Sequence, residues 1–254
     1  MSITRILALC IFIALVGYMK RSFRNCLLIE GDTTMKNLRG LLTCLGLLGL
    51  MACALTPATA AQSFFGYTGL IRTPTTDALS QGQYSLGVYS LNMDAGPDAT
   101  VYAGTVGLAE GFEVGYARLK ADRTDGKDYF NAKYRFNPAT IKDITVAAGV
   151  IDIANESDST PYLVVSKSIS TLEEPAFGEI DALRVNVGIG GGAMDGLFAG
   201  VSAVLGQRLT LMGEYDTNDV NFGARFAIND QFRLHGAVMS GSDVGLGLSW
   251  NKLY

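Results

Sequence analysis

The single histidine of this chain, His235, is followed closely by Ser240, Ser242 and Asp243. Histidine, serine and a carboxylate are the parts of a nucleophilic hydrolase, in which the imidazole takes the hydroxyl proton. The spacing is not that of a known arrangement, and no Gly-x-Ser-x-Gly elbow is present. His235 therefore reads as a hydrogen-bonded filler, and no enzymatic activity is expected. The run Gly188–Gly192 has no following lysine and reads as a strand-to-loop turn, not a phosphate cradle. Cys10, Cys26, Cys44 and Cys53 all lie in the first quarter of the chain. The body thus has no thiol nucleophile, no disulfide and no cysteine metal site, and one histidine builds no histidine cluster. Neither metal nor cofactor is expected. A net charge of -4 excludes the basic stripe of a nucleic-acid binder.

What remains is a set of polar residues at alternate positions: Glu113, Asn131, Lys133, Arg135, Arg184, Asn186, Glu214, Asp216, Asn221, Arg225, Arg233 and His235. Lys133, for example, sits between Ala132 and Tyr134, and Arg225 between Ala224 and Phe226. A strand sends successive side chains to opposite faces, so these residues share one face and the apolar ones the other. Their signs are mixed. They fit a salt-bridged filling of a narrow barrel, or a small aqueous channel in which Lys133, Arg135, Arg184 and Arg225 form a cationic strip for anionic sugars.

The elements that must carry them number about twelve: Tyr84–Leu91, Thr100–Leu108, Phe112–Leu119, Tyr129–Phe136, Ile144–Ile151, Tyr162–Lys167, Leu183–Ile189, Leu197–Leu205, Leu209–Tyr215, Val220–Ile228, Phe232–Met239 and Val244–Trp250. The chain is 48% hydrophobic and only 17% charged, below the usual quarter for soluble domains. After residue 61 no apolar run is long enough for a membrane helix. The expected fold is all-β: a closed antiparallel transmembrane barrel of about twelve strands over 83–254, with apolar residues toward lipid and polar ones toward the lumen. A soluble or lipid-anchored periplasmic sandwich is the alternative. Phe130, Tyr134, Phe222 and Phe226 discriminate, being lipid-exposed in a barrel and mutually buried in a sandwich. Ser168–Ala182, with Glu173, Glu174, Glu179 and Asp181, is expected to be a long acidic loop at the periplasmic end. Trp250, Tyr254 and Tyr84 are girdle candidates. The final amphipathic strand has the outline of a signal for barrel-assembly machinery.

The N-terminus reads as a targeting region. Residues 35–61 have a basic start, an apolar centre and a small-residue end, as in a signal peptide cleaved near Ala60 or Ala61. Residues 1–34 then read as an upstream extension; the other reading makes Ile6–Tyr18 an anchor. Leu50-Met51-Ala52-Cys53 has the outline of a lipobox. The expected location is the outer membrane of a Gram-negative-type cell.

Residues 62–82 are a leader or plug that does not read as a strand. They hold Gly66-Tyr67-Thr68-Gly69-Leu70-Ile71-Arg72-Thr73-Pro74-Thr75-Thr76. With Gly66, Gly69, Leu70, Ile71, Thr73 and Pro74 as its key positions, this segment resembles the N-terminal motif of the YjbH family of outer-membrane proteins. Gly213-Glu214-Tyr215-Asp216 and Asn221-Phe222-Gly223-Ala224-Arg225-Phe226 resemble that family's C-terminal repeats. The resemblance implies a short, single-barrel relative with an accessory role in exopolysaccharide or capsule production or export. Its implied partners are outer-membrane lipid, polysaccharide and secretion-machinery proteins. A small general diffusion pore, or a structural outer-membrane protein, is the competing function.

Overall fold

A computed structural model describes residues 60–252 apart from 95, 122–124, 137–143 and 175–177. The expected signal peptide over 35–61, bar its last two residues, the expected extension over 1–34, Cys53 of the lipobox-like stretch and Tyr254 lie outside the described residues.

Alternation of apolar and polar residues resolves into twelve strands: β1 (Tyr84–Asn92), β2 (Ala99–Ala109), β3 (Phe112–Ala121), β4 (Lys127–Phe136), β5 (Ile144–Ile151), β6 (Thr160–Glu174), β7 (Gly178–Gly190), β8 (Gly196–Leu205), β9 (Leu209–Tyr215), β10 (Val220–Ala227), β11 (Phe232–Met239) and β12 (Asp243–Lys252). Each pairs antiparallel with its sequence neighbours, and β1 pairs with β12, so the sheet closes into a barrel with no free edge. Closure satisfies the backbone of every strand inside the sheet, which is the condition for crossing a bilayer with strands. Among the described residues no helix is long and apolar enough to do so.

The rim holding the start of β1 and the end of β12 is called proximal here, the other distal. The outer face is apolar. Phe130 and Tyr134 are 50% and 52% exposed, while Asn131 and Lys133 between them are buried. Phe222 and Phe226 also face outward, on the parity opposite the buried Asn221 and Arg225. This is the facing of a barrel in lipid and not of a sandwich. Tyr84 packs edge-on against Trp250 at 5.4 Å, and Lys252 Nζ lies 5.9 Å over the Tyr84 ring, an aromatic pair at the proximal rim.

One expected element differs. Ser168–Ala182 is not a loop. β6 and β7 continue through it as a paired ribbon, from Ser168↔Arg184 to Glu174↔Gly178. Its acidic composition suggested a solvated loop, but the two arms satisfy each other's backbone groups, and charge does not prevent pairing at a strand end.

Candidate functional site

The lumen is occupied. Residues 60–83 lie inside the barrel and fold back and forth along it: Gln62 reaches Thr105, Phe64 lies against Gly245, Thr68 returns to Glu113, Arg72 meets Asp216 at the distal turn, and Leu79 lies back beside Glu113. Two isolated bridges, Gln62↔Thr68 and Gly69↔Pro74, hold this plug in a compact double turn. Thr73-Pro74 keeps the turn extended on its return side, since proline fixes its own backbone and restricts the residue before it. Phe64, Leu70 and Ile71 are buried together with Tyr89, Val101, Ala117 and Met212 of the wall, so the apolar core lies between plug and sheet. Phe64 stacks on Tyr89 at 4.7 Å. The wall makes room with glycine. A Cβ on Gly200 would collide with Leu70, one on Gly223 would stand 3.0 Å from Ile71 Cδ1, and one on Gly245 would collide with Phe64.

Four charged wall residues hold the plug backbone. Glu214 on β9 accepts from Ile71 N at 3.0 Å, Arg72 N at 2.8 Å, Thr73 N at 3.1 Å and Thr73 Oγ1 at 2.7 Å. Its fifth donor is Asn221 Nδ2, at 3.1 Å. Arg225 Nη2 on β10 donates to three plug carbonyls, those of Gln62, Gly69 and Leu70, each at 3.2 Å. Lys133 on β4 donates to the carbonyls of Thr68 at 2.7 Å and Thr75 at 3.2 Å, and to Thr68 Oγ1. Its ion-pair partner is Glu113 on β3, at 3.1 Å, with both side chains 1% exposed. Glu113 in turn accepts from Thr68 N at 2.9 Å, Thr68 Oγ1 at 2.8 Å and Leu79 N at 3.0 Å. Buried polar groups are tolerated only when so paired.

The remaining sequence candidates sort by depth. Asn131 donates to Phe65 O at 2.8 Å. Asn186 accepts from Ser166 Oγ at 2.5 Å. Asp216, at the distal turn, pairs with Arg72 of the plug at 3.2 Å and accepts from Asn221 at 2.9 Å. Arg233 is buried on the same inward face of β11 as His235. Arg135 shares the lumen parity but turns to Glu110 of the β2–β3 turn, at 3.1 Å. Arg184 contacts Asp77 of the plug. The four cations of the expected strip are thus committed to the plug or to the proximal turn.

Asp77 lies on the plug, not on a crossing strand. Burial alone would raise its carboxyl pKa, but the Arg184 guanidinium, with the Lys133 charge and the Thr75 hydroxyl, together outweigh burial and hold it below the ordinary carboxylate value. A carboxylate with a depressed pKa stabilises above the ordinary value and loses that contribution as pH falls through the lowered one. Acidification is therefore expected to loosen the plug at this point. Digestion of the plug by an acid protease at successively lower pH should accelerate in the wild type, and Asp77→Asn should be more readily cut throughout and lack this pH-dependent component.

His235 meets Ser249, not Ser240 or Ser242: its Nε2 lies 2.8 Å from Ser249 Oγ, while Arg225 Nε donates to its Nδ1 at 3.3 Å. With Nδ1 accepting, the ring proton sits on Nε2 and is offered to the serine. In this arrangement the imidazole lone pair is engaged by Arg225, and the ring bridges β10 and β12 within the wall. Among the described residues no group of three or more His, Cys, Asp or Glu gathers in metal-binding geometry.

Several plug-holding residues escaped the sequence reading. Gln62 Nε2 donates to Thr105 Oγ1 at 2.9 Å, and Tyr89 OH donates to Gln62 Oε1 at 3.1 Å. Thr105, Tyr89, Ser166 and Ser249 stand at inward positions, so the parity that found the charged residues would have found them too.

No family model and no curated protein sequence matches the chain. Among solved structures it is similar to the KdgM porin, at 12% identity and a TM-score of 0.49 over 65% of this chain and 98% of that one. It is also similar to the NanC porin, at 11% identity and a TM-score of 0.40 over 66% and 100%. A third is the outer membrane phospholipase A from Escherichia coli, at 11% identity and a TM-score of 0.42 over 72% and 95%.

Proposed function

We propose that this chain is an outer-membrane barrel that works as a small diffusion pore held shut by its own N-terminal segment. One observation carries the reading: the wall charges Glu113, Lys133, Glu214 and Arg225 are satisfied mainly by the plug, not by one another. Glu214 and Arg225 between them make seven of their hydrogen bonds to residues 62–73. A wall that neutralised itself would remain dry without the plug. This one would face water with Lys133, Arg135, Arg184, Arg225 and Arg233 against the carboxylates Glu113, Glu214 and Asp216. A twelve-stranded barrel has room for a narrow aqueous channel once emptied. The excess of cationic groups favours anions in it.

The test is single-channel recording in planar bilayers of the wild type and of a chain lacking residues 62–80, both first shown to be folded by a boil-dependent shift on a gel. The wild type should be quiet, and the deletion should conduct in discrete, anion-selective steps. Large steady conductance in the wild type would refute closure by the plug, and a folded but silent deletion would refute the pore.

A second reading is favoured by where the family-like motif lies. Leu70 to Pro74, the core of the segment resembling the YjbH family, is the turn that Glu214 holds. An accessory role in exopolysaccharide export would place the regulated element of that function in the plug. Loss of the gene should then lower secreted polysaccharide, and plug variants should fail to restore it.

A further inference from the structure

Charge on the lipid-facing side of a barrel is unfavourable by about 2–4 kcal/mol per Lys or Arg at the bilayer midplane and falls toward zero near the interface. Among the described outward positions of the distal half, Arg118, Lys120 and Asp128 are the charged ones, and all three lie on β3 and β4. Other strands put Val150, Ile189, Leu197, Val220 and Val244 at their outward positions near that rim. The charge is therefore local, not a ring.

The patch is also ordered. Tyr102, Arg118 and Asp128 share one row across β2, β3 and β4, with Thr100 and Lys120 in the row above and Tyr116 and Phe130 in the row below. Asp128 Oδ2 lies 2.6 Å from Arg118 Nη1, and Tyr116 OH donates to Asp128 Oδ1 at 2.5 Å. Lys120 Nζ stands 5.9 Å over the Tyr102 ring. Residue 126 is glycine, where a Cβ would come within 3.2 Å of Arg118 Nη2, so this position puts no side chain on the guanidinium. Below the charges the surface is apolar, with Leu86, Val88 and Phe130 each 50% exposed. A cationic shelf above an aromatic row above an aliphatic face matches one molecule: a lipid whose headgroup carries a phosphate and whose chains lie along the barrel.

We propose that the outer face of β2–β4 at the distal rim, with Arg118 and Lys120 as the cationic pair, Tyr102 beside Arg118 and Tyr116 beneath it, binds the phosphate-bearing headgroup of a lipid in the adjoining leaflet. Asp128 orients Arg118 and weakens the site by its own charge. A basic group near an anionic headgroup is worth about a fivefold change in affinity. This site is separate from the lumen and does not depend on whether the barrel conducts.

The experiment is native mass spectrometry of the folded protein in neutral detergent, titrated with phosphatidylglycerol or with phosphatidylcholine of the same chains, and in a third arm with inorganic phosphate. Phosphatidylglycerol should be retained preferentially. Lys120→Gln should weaken that retention about fivefold and Asp128→Asn should strengthen it by a similar factor, because removing a charge that repels the headgroup acts in the opposite direction. Lys252→Gln, at the proximal rim, should leave it unchanged. Equal retention of the two lipids, no response to either Lys120→Gln or Asp128→Asn, or inorganic phosphate competing the lipid off at equal concentration, would overturn the proposal. The Asp128→Asn gain keeps the test valid if Lys120→Gln misfolds.

Discussion

Glu214→Ala is expected to turn a silent barrel into a conducting one without unfolding it. The Glu214 carboxylate is the acceptor for three successive backbone N–H groups, from Ile71, Arg72 and Thr73, and for the Thr73 hydroxyl. Alanine removes all of these acceptors at once and leaves the donors buried without an acceptor. One orphaned buried donor costs about 1–3 kcal/mol, and disrupting a buried charged network about 3–5 kcal/mol. The plug turn is small, and little else in the wall takes up these donors: Asp216 is engaged with Arg72 and Asn221. Water entering to satisfy the donors is the cheaper outcome, and water in the lumen is a pore. The strand ladders do not involve the carboxylate, so the boil-dependent gel shift should persist. Glu214→Gln keeps the volume and one acceptor oxygen, and should fall between the two. The measurement is bilayer conductance beside the rate of proteolysis within residues 62–80. An alanine variant as quiet and as protected as the wild type would show that the turn is held by packing alone.

The wall was legible in the sequence and the plug's grip was not. Alternation alone puts Glu113, Lys133, Glu214 and Arg225 inside, because parity is fixed once one side of a strand is apolar. What those residues bind was hidden, because their partners are carbonyls and amides of residues 62–79, and every residue type carries these. A reading of side-chain charges pairs cation with anion, as it does correctly for Glu113 and Lys133. It has no means of seeing that Arg225 is matched to three carbonyls. The same blindness turned the β6–β7 ribbon into a loop: its acidic residues are visible in the sequence, and its backbone pairing is not. Glycine was the overlooked signal. Glycines are frequent in the strands, where they weaken the sheet unless something passes close by. At Gly115, Gly200 and Gly245 what passes is the plug.

Gly115 makes the sharpest case. It faces the lumen on β3, and a Cβ there would fall on the carbonyl oxygen of Gly66, closer than unbonded atoms can stand. Gly66 lies close along β3, with a φ of 76° and its own Cβ position 2.4 Å from the Tyr116 carbonyl oxygen, so a Cβ on Gly115 fits only if this part of the plug backbone lifts off the wall. The contact is backbone on backbone, so no side chain can rotate away. Gly115→Ala should therefore exclude this length of plug and raise both conductance and cleavage at residues 62–80. The effect should exceed the roughly 1–3 kcal/mol of ordinary overpacking, which side-chain movement normally relieves. Gly104→Ala supplies the control. Gly104 pairs with Tyr116 on the neighbouring strand but faces outward, where a Cβ would meet only Leu86 Cδ2, at 3.3 Å. It should leave the barrel closed. Glu214→Ala removes an attraction near the tip of the plug, and Gly115→Ala inserts a repulsion near its start. If either alone opens the barrel, the plug seats as one unit and its contacts are cooperative. If Gly115→Ala exposes residues 62–68 to protease while the lumen stays silent, the turn held by Glu214 is the sealing element and the rest of the segment is a tether.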